Sequence, residues 1–179
     1  MKGLLDFYGA HGDAPTRDLP VDQWHPAFCG DIDMRIATNG VWFYNGTPIE
    51  RPAMVRLFSR ILRREDDSYY LVTPVEKVRI AVDDAPFVAV GMNRDGEALT
   101  FHTHVGDVVT ADADHPLRFE IDADGAVRPY IEVRNALEAR LTPAVARELL
   151  ALAIPRDGWF GISSKGAFFA ISANTLTDD

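Results

Sequence analysis

The sequence contains a single cysteine, Cys29, and no long run of apolar residues. One cysteine excludes an internal disulfide and is typical of a reducing compartment, so we expect a cytoplasmic protein. No stretch approaches the ~20 apolar residues that a membrane-spanning helix needs. The first fifteen residues also lack the apolar core of a signal peptide, so we expect no association with a membrane.

Positive charge is scarce as well, because the chain has 18 Lys and Arg residues against 27 Asp and Glu residues and a formal net charge of -9. A phosphate backbone is attracted only where positive potential accumulates, so the composition argues against a nucleic-acid-binding protein. A local group of arginines and lysines could still bind a small anion, because local charges set the local potential.

Hydrophobic residues make up 47% of the 179 positions, as expected for a compact globular protein. Strict alternation in IDMRIA places Ile32, Met34 and Ile36 on one face of a strand, and Asn39-Gly40 predicts a hairpin turn after it. RPAMVRLFSRILRRE (51–65) and TPAVARELLALA (142–153) predict two helices, each with a proline at its first position.

An internal repeat is indicated by the spacing of these elements. The helix-opening prolines, Pro52 and Pro143, are 91 positions apart (143 − 52), and each helix follows a predicted strand pair and precedes further strands. We therefore predict an α+β fold with a duplicated, two-domain architecture of ββαββ-like units. The predicted boundaries are an N-terminal arm over 1–28, a first unit over 29–86 and a larger second unit over 87–179.

Histidines and carboxylates predict one candidate metal site. His102 and His104 alternate with Thr103 on a predicted strand, so both imidazoles would face the same side, and Asp107 and His115 follow closely. Imidazole and carboxylate groups suit Zn, Fe or Mn, which makes a metal-dependent enzyme the alternative hypothesis. A structural role on the strand surface is the competing interpretation of the same residues.

No other motif predicts catalysis. Ser163, Ser164 and Lys165 in GISSKGAF match neither an S-x-x-K motif nor a G-x-S-x-G elbow. Cys29 has only Arg35 or a distant histidine to activate it, so a half-buried structural cysteine is the simpler interpretation.

The segments GDIDMRIATNGVWFYNGTPI, LVTPVEKVRIAVDDAPF and DADHPLRF resemble the bacterial domain-of-unknown-function family 1285, and the resemblance extends over essentially the whole chain. It implies two domains of related build, the second one loosely similar to pleckstrin-homology-like folds. It also implies ligand binding with a role in regulation or signal transduction, and it implies no catalytic residues.

We therefore predict a regulatory protein that is not an enzyme and that binds a small anionic or zwitterionic ligand in a groove between its two units. No cofactor is expected, and a protein partner is the further alternative. Arginine and lysine among carboxylates suit such ligands. The predicted ligand-binding residues are Asp31, Asp33, Arg35, Trp42, Tyr44, Lys77, His115 and Arg118.

Overall fold

The computed structural model of the protein describes Phe7, Gly9 and residues 19–173. The chain divides into two compact units, Met1–Pro86 and Phe87–Asp179. Most of the predicted N-terminal arm lies outside the described residues. From residue 19 onward it contains a short 3-10 helix, Val21–Gln23, before the first strand begins at Phe28. In the part of the chain that the structure describes, no helix is long and apolar enough to cross a membrane.

The first unit consists of one six-stranded sheet and one helix. Its elements are β1 (Phe28–Ile36), β2 (Trp42–Tyr44), β3 (Thr47–Pro48), α1 (Pro52–Arg60), β4 (Leu62–Glu65), β5 (Ser68–Val72) and β6 (Lys77–Val82). The strand order is β3-β2-β1-β6-β5-β4, so two antiparallel meanders meet at the parallel pair of β1 and β6. A parallel pair needs a long crossover, and α1 lies within that connection.

The core of the first unit is formed by the alternate apolar side chains of its strands and by α1. Met34 and Ile36 on β1 and Trp42 on β2 are buried, as is Phe58 on α1. The rings of Trp42 and Phe58 lie 6.2 Å apart. The intervening positions on β1 are polar, as the alternation in IDMRIA predicts.

The second unit has one six-stranded sheet, one helix and a separate three-stranded sheet. The first sheet contains β7 (Phe87–Asp95), β8 (Ala98–Thr103), β9 (Val108–Thr110), β10 (Leu117–Ile121), β11 (Val127–Arg134) and β12 (Leu137–Leu141) in the order β10-β11-β12-β7-β8-β9. Helix α2 (Pro143–Leu150) follows, capped by the Thr142 hydroxyl, which accepts a hydrogen bond from the Val145 N–H. β13 (Ile154–Arg156), β14 (Trp159–Ser164) and β15 (Ala167–Ala173) form the second sheet.

The two six-stranded sheets have the same topology. In each, the first strand of one meander pairs in parallel with the last strand of the next, β1 with β6 and β7 with β12. Phe28 and Phe87, which open the equivalent strands β1 and β7, are 59 positions apart (87 − 28). The predicted fold class, a duplicated two-domain α+β architecture, is confirmed.

The 91-position spacing finds both helices but does not relate equivalent strands. The strands that follow α1 complete the sheet of β1, whereas β13, β14 and β15, which follow α2, form a sheet of their own. Helix α1 lies between the two meanders of its unit, and α2 follows both meanders. The spacing therefore relates helices that occupy different places in the two sheets.

The helix predicted over 51–65 is too long. Helix α1 ends at Arg60, and Leu62–Glu65 forms β4, which pairs with β5 across a turn that contains Asp66 at a positive φ of 52°. Leu62 lies opposite Leu71 in this hairpin, and both are buried. Pairing with a neighbouring strand thus overrides the helical period, which the apolar residues Ile61 and Leu62 happen to continue.

The hairpin predicted at Asn39-Gly40 is confirmed, since β1 and β2 pair antiparallel across residues 37–41. The tight two-residue turn comes later, at Asn45-Gly46, where both residues have positive φ and join β2 to β3. This conformation suits asparagine and glycine, and it divides the predicted return strand into two short ones.

Candidate functional site

The charged residues predicted on β1 lie where the alternation places them, and two of the three are paired within the sheet. Arg79 on β6 donates two hydrogen bonds of 2.8 Å to the Asp31 carboxylate. These bonds from Arg79 lower the pKa of Asp31, although burial opposes them. Arg35 forms an ion pair with Asp83. Among the described residues, the carboxylate of Asp33 has no partner.

Trp42 and Tyr44 do not share a face with these charges. The strand register places Trp42 opposite Ile36 and Tyr44 opposite Met34, on the apolar face of β1. The residue on the charged face is Phe43, and the Arg35 guanidinium lies 4.8 Å from its ring centroid. Trp42, only 1% exposed, belongs to the core of the first unit.

Lys77 is held in place by a carboxylate and an aromatic ring. Its Nζ donates a hydrogen bond of 2.9 Å to Glu65 and lies 4.9 Å from the centroid of Tyr70. The hydrogen bond from Lys77 is the largest cause of the lowered pKa of Glu65, to which Arg63 also contributes. These contacts give Lys77 a structural role within the first unit.

In the second unit, His115 and Arg118 are also engaged by neighbouring groups. The Nδ1 atom of His115 lies 3.2 Å from the Glu132 carbonyl oxygen. Arg118 donates two hydrogen bonds of 2.7 and 2.8 Å to Glu138 and one of 2.6 Å to Glu120. The hydrogen bonds to Glu138 are the main reason that the pKa of Arg118 is raised.

The residues of the alternative metal site are not clustered. His102 Nε2 lies 2.9 Å from the Asn93 side-chain amide, while His104 has left the strand and its Nδ1 accepts a hydrogen bond from the Val88 N–H. Asp107 forms an ion pair of 2.8 Å with Arg134. Within the described residues, no three His, Cys, Asp or Glu side chains come close enough to hold a metal ion.

The second unit contains a cleft of about 510 Å³ that the sequence did not indicate. Its walls come from the β7–β8 turn, the segment after α2, strand β13 and the β14–β15 turn. Its volume falls within the usual range of small-molecule sites, roughly 300–1,000 Å³. The lining residues are Arg94, Glu97, Leu99, Ala151, Leu152, Ala153, Ile154, Arg156, Ser163, Ser164, Lys165, Gly166 and Ala167.

Three of the four charged residues in this lining are cations, although the chain as a whole is acidic. Lys165 forms an ion pair of 3.1 Å with Asp112, and Arg156 a looser one of 3.6 Å with Asp157. Neither the terminal guanidinium nitrogens of Arg94 nor the carboxylate of Glu97 has a partner among the described residues. The cleft thus offers one uncompensated cation and one uncompensated anion.

The two turns that carry these charges are tied together. The backbone N–H of Lys165 donates a hydrogen bond of 3.0 Å to the Glu97 carbonyl oxygen. Arg94 Nε donates one of 3.1 Å to the Gly96 carbonyl oxygen, which directs the guanidinium along its own turn. The first hydrogen bond joins the β7–β8 turn to the β14–β15 turn, and the second orients the Arg94 side chain within its own turn.

Ser164 anchors the floor of the cleft. The residue is 1% exposed, and its hydroxyl accepts a hydrogen bond of 3.0 Å from the Leu99 N–H and donates one of 2.7 Å to the Ala111 carbonyl oxygen. Both hydrogen-bonding capacities are used, and the lining contains neither histidine nor cysteine. Glu97 and Lys165 are the lining groups that could act as a base, but the Ser164 hydroxyl donates its proton to the Ala111 carbonyl oxygen and to neither of them.

Comparison with known proteins shows which family the chain belongs to. The model of the DUF1285 N-terminal domain, a domain of unknown function, matches residues 19–85, and the model of the DUF1285 C-terminal domain, described as a protein of unknown function, matches residues 86–171. The chain belongs to the DUF1285 family. The crystal structure of a DUF1285 family protein from Silicibacter pomeroyi DSS-3 is 52% identical, with a TM-score of 0.85, and the match covers 96% of this chain and 95% of that one.

A second DUF1285 family structure, from Shewanella baltica OS155, is 29% identical with a TM-score of 0.54, and the match covers 66% of this chain and 90% of that one. Both relatives are bacterial proteins. No functionally curated protein shows significant similarity to the chain. The predicted family is confirmed, and both family models describe it as of unknown function.

Sequence reasoning missed the cleft of this DUF1285 protein because its residues are spread over three segments between residues 94 and 167. Arg94 and Glu97 lie on either side of a predicted glycine turn, where charged residues are common and do not indicate a binding site. Lys165 was considered only as part of a nucleophile motif. The one available signal was the Lys165-Gly166 turn, which predicts a hairpin and not a binding site.

Proposed function

We propose that this protein binds a small anionic or zwitterionic molecule in the cleft of its second unit and acts in the cytoplasm as a regulatory protein without catalytic activity. The observation that carries the proposal is the uncompensated guanidinium of Arg94 at the rim of a cleft of about 510 Å³. A guanidinium binds carboxylate or phosphate oxygens with paired, charge-assisted hydrogen bonds.

The cleft supports this function better than the residues predicted from the sequence. Those of the first unit, apart from Asp33 and the half-buried Tyr44, are paired or buried among their own neighbours, so a ligand would have to displace existing ion pairs. Ligand binding by the residues predicted from the sequence stays a prediction. The buried Ser164 hydroxyl donates its proton to a backbone carbonyl oxygen and not to a base, which favours binding over catalysis. The single cysteine of the sequence, Cys29, is compatible with a reducing compartment.

Thermal unfolding with added anions tests the proposal. The probes are sodium acetate and inorganic phosphate, with sodium chloride added so that the ionic strength stays constant. A ligand that binds only the folded state raises the unfolding temperature as its concentration exceeds the Kd. We expect at least one probe to stabilise the wild type and to lose most of that effect in the double variant Arg94→Gln, Lys165→Gln.

The matched control is Arg147→Gln, which removes an exposed arginine of α2 in the same unit and outside the cleft. It should respond to the probes as the wild type does. Equal stabilisation of all three proteins, or of none, would overturn the proposal.

A further inference from the structure

The cleft combines two unpaired charges of opposite sign with an apolar wall. Arg94 and Glu97 line it from the same turn, and among the described residues neither forms an ion pair, although the Arg94 Nε donates a hydrogen bond to the Gly96 carbonyl oxygen. Opposite charges left unpaired in one concave site match a ligand that itself carries both signs.

The apolar part of the lining is continuous with the outer face of the three-stranded sheet. Leu99 and Leu152 contribute to the cleft, together with Ile154, whose side chain is 46% exposed. Arg156 and Trp159 are direct partners across β13 and β14 and share the face of Ile154. Trp159 is 48% exposed, so apolar surface extends beyond the cleft along this face.

One cation next to this wall lies over an aromatic ring. The Arg156 guanidinium lies 5.4 Å from the centroid of Phe168, and the Phe168 ring covers Gly161, where a Cβ atom would come within 2.5 Å of the ring. The absence of a side chain at residue 161 thus lets the ring lie against the strand and support Arg156. A ligand with a charged group and an apolar group could therefore contact Arg156 and the apolar lining at the same time.

We propose that the ligand is an apolar α-amino acid or a comparable small zwitterion. Its carboxylate binds the Arg94 guanidinium, its ammonium binds the Glu97 carboxylate, and its apolar side chain lies against Leu99, Leu152 and Ile154. This inference rests on the proposed function, and it adds the ammonium and the apolar group to the anion that the proposed function requires.

Four probes separate these contributions: leucine, glycine, 4-methylpentanoate and acetate. Leucine has the ammonium, the carboxylate and the apolar group, 4-methylpentanoate lacks the ammonium, glycine lacks the apolar group, and acetate lacks both. The affinity of each for the full-length protein is measured by NMR titration at constant ionic strength. Each buried methylene is worth ~0.8 kcal/mol, about fourfold in affinity, so leucine should bind at least roughly tenfold more tightly than glycine.

Variants connect each preference to a side chain. Glu97→Gln should remove the advantage of leucine over 4-methylpentanoate, while the control Glu148→Gln, on the exposed face of α2, should keep it. Ile154→Ser should reduce the advantage of leucine over glycine. Its control is Ile121→Ser, which changes an isoleucine of the same unit that is 52% exposed and lies outside the cleft.

The outcomes separate the two proposals. If 4-methylpentanoate binds as tightly as leucine and both depend on Arg94, the zwitterion is wrong and the proposed anion site stands. If leucine binds no more tightly than glycine, the apolar part is wrong. If no probe binds in a way that depends on Arg94, the proposed function itself fails.

Discussion

Replacing Gly161 by alanine should destabilise the second unit strongly. A Cβ atom at this position would lie 2.4 Å from the Phe169 carbonyl oxygen and 2.5 Å from Cζ of Phe168, whereas ordinary contacts begin at 3.4 Å. The ring of Phe168 can rotate, but the carbonyl oxygen belongs to β15, so the strand backbone must move by about 1 Å. Overpacking typically costs 1–3 kcal/mol, and a backbone obstruction places Gly161→Ala at about 3 kcal/mol.

For a chain of this length, 1 kcal/mol corresponds to a change of roughly 2–4 °C in the unfolding temperature, so calorimetry should show a decrease of about 6–12 °C. The matched control is Gly91→Ala, also on a strand of the second unit, where the nearest atom to an added Cβ is 3.9 Å away. That variant should differ from the wild type by less than about 1 kcal/mol. Equal unfolding temperatures for the two variants would refute the packing argument.

Three further predictions concern single side chains. Ser164→Ala should cost about 2–4 kcal/mol in urea unfolding, because it leaves a buried N–H and a buried carbonyl without partners, whereas the exposed Ser163→Ala should be neutral. The folded-state pKa of Glu65 is lowered mainly by its hydrogen bond from Lys77, so its stabilisation is complete above its ordinary pKa of 4.5 and is lost as the pH falls through the lower folded value. Glu65→Gln should therefore reduce stability at neutral pH and make no difference in strong acid, as urea unfolding at each pH would show. Ala136 has a φ of 60°, and Ala136→Gly should raise the free energy of unfolding by about 1 kcal/mol in the same assay.

The local patterns of the sequence predicted much of the fold. The alternation in β1 and the prolines that open α1 and α2 depend on residues close together in the chain, and the structure contains these elements. The boundary at Arg60 was missed because Leu62 continues the helical period while its partner, Leu71, lies across a turn. Whether Leu62 belongs to a helix or to a strand depends on its pairing with Leu71, and the local hydrophobic period carries no information about that pairing.

The charged candidates show the same division between local and non-local information. Alternation correctly placed Asp31 and Arg35 on one face, but their partners, Arg79 and Asp83, are each 48 positions away in the chain. Placing Trp42 beside these charges required the register of β1 against β2, which one residue of shift reverses. The cleft is less predictable still, because it depends on two turns and a helix end meeting in space.

Binding of a small charged molecule in the cleft of the second unit through Arg94 is the proposal on which the zwitterionic ligand also depends. The most direct test is a two-dimensional NMR titration of the isotope-labelled protein with leucine at constant ionic strength. We expect saturable shifts with a single Kd for the backbone amides of 94–99, of 151–156 apart from Pro155, and of 163–167, the segments that line the cleft. These shifts should disappear in Arg94→Gln and persist in Arg147→Gln. Saturable shifts confined to the first unit, or shifts unaffected by Arg94→Gln, would show that leucine does not bind in the cleft through Arg94.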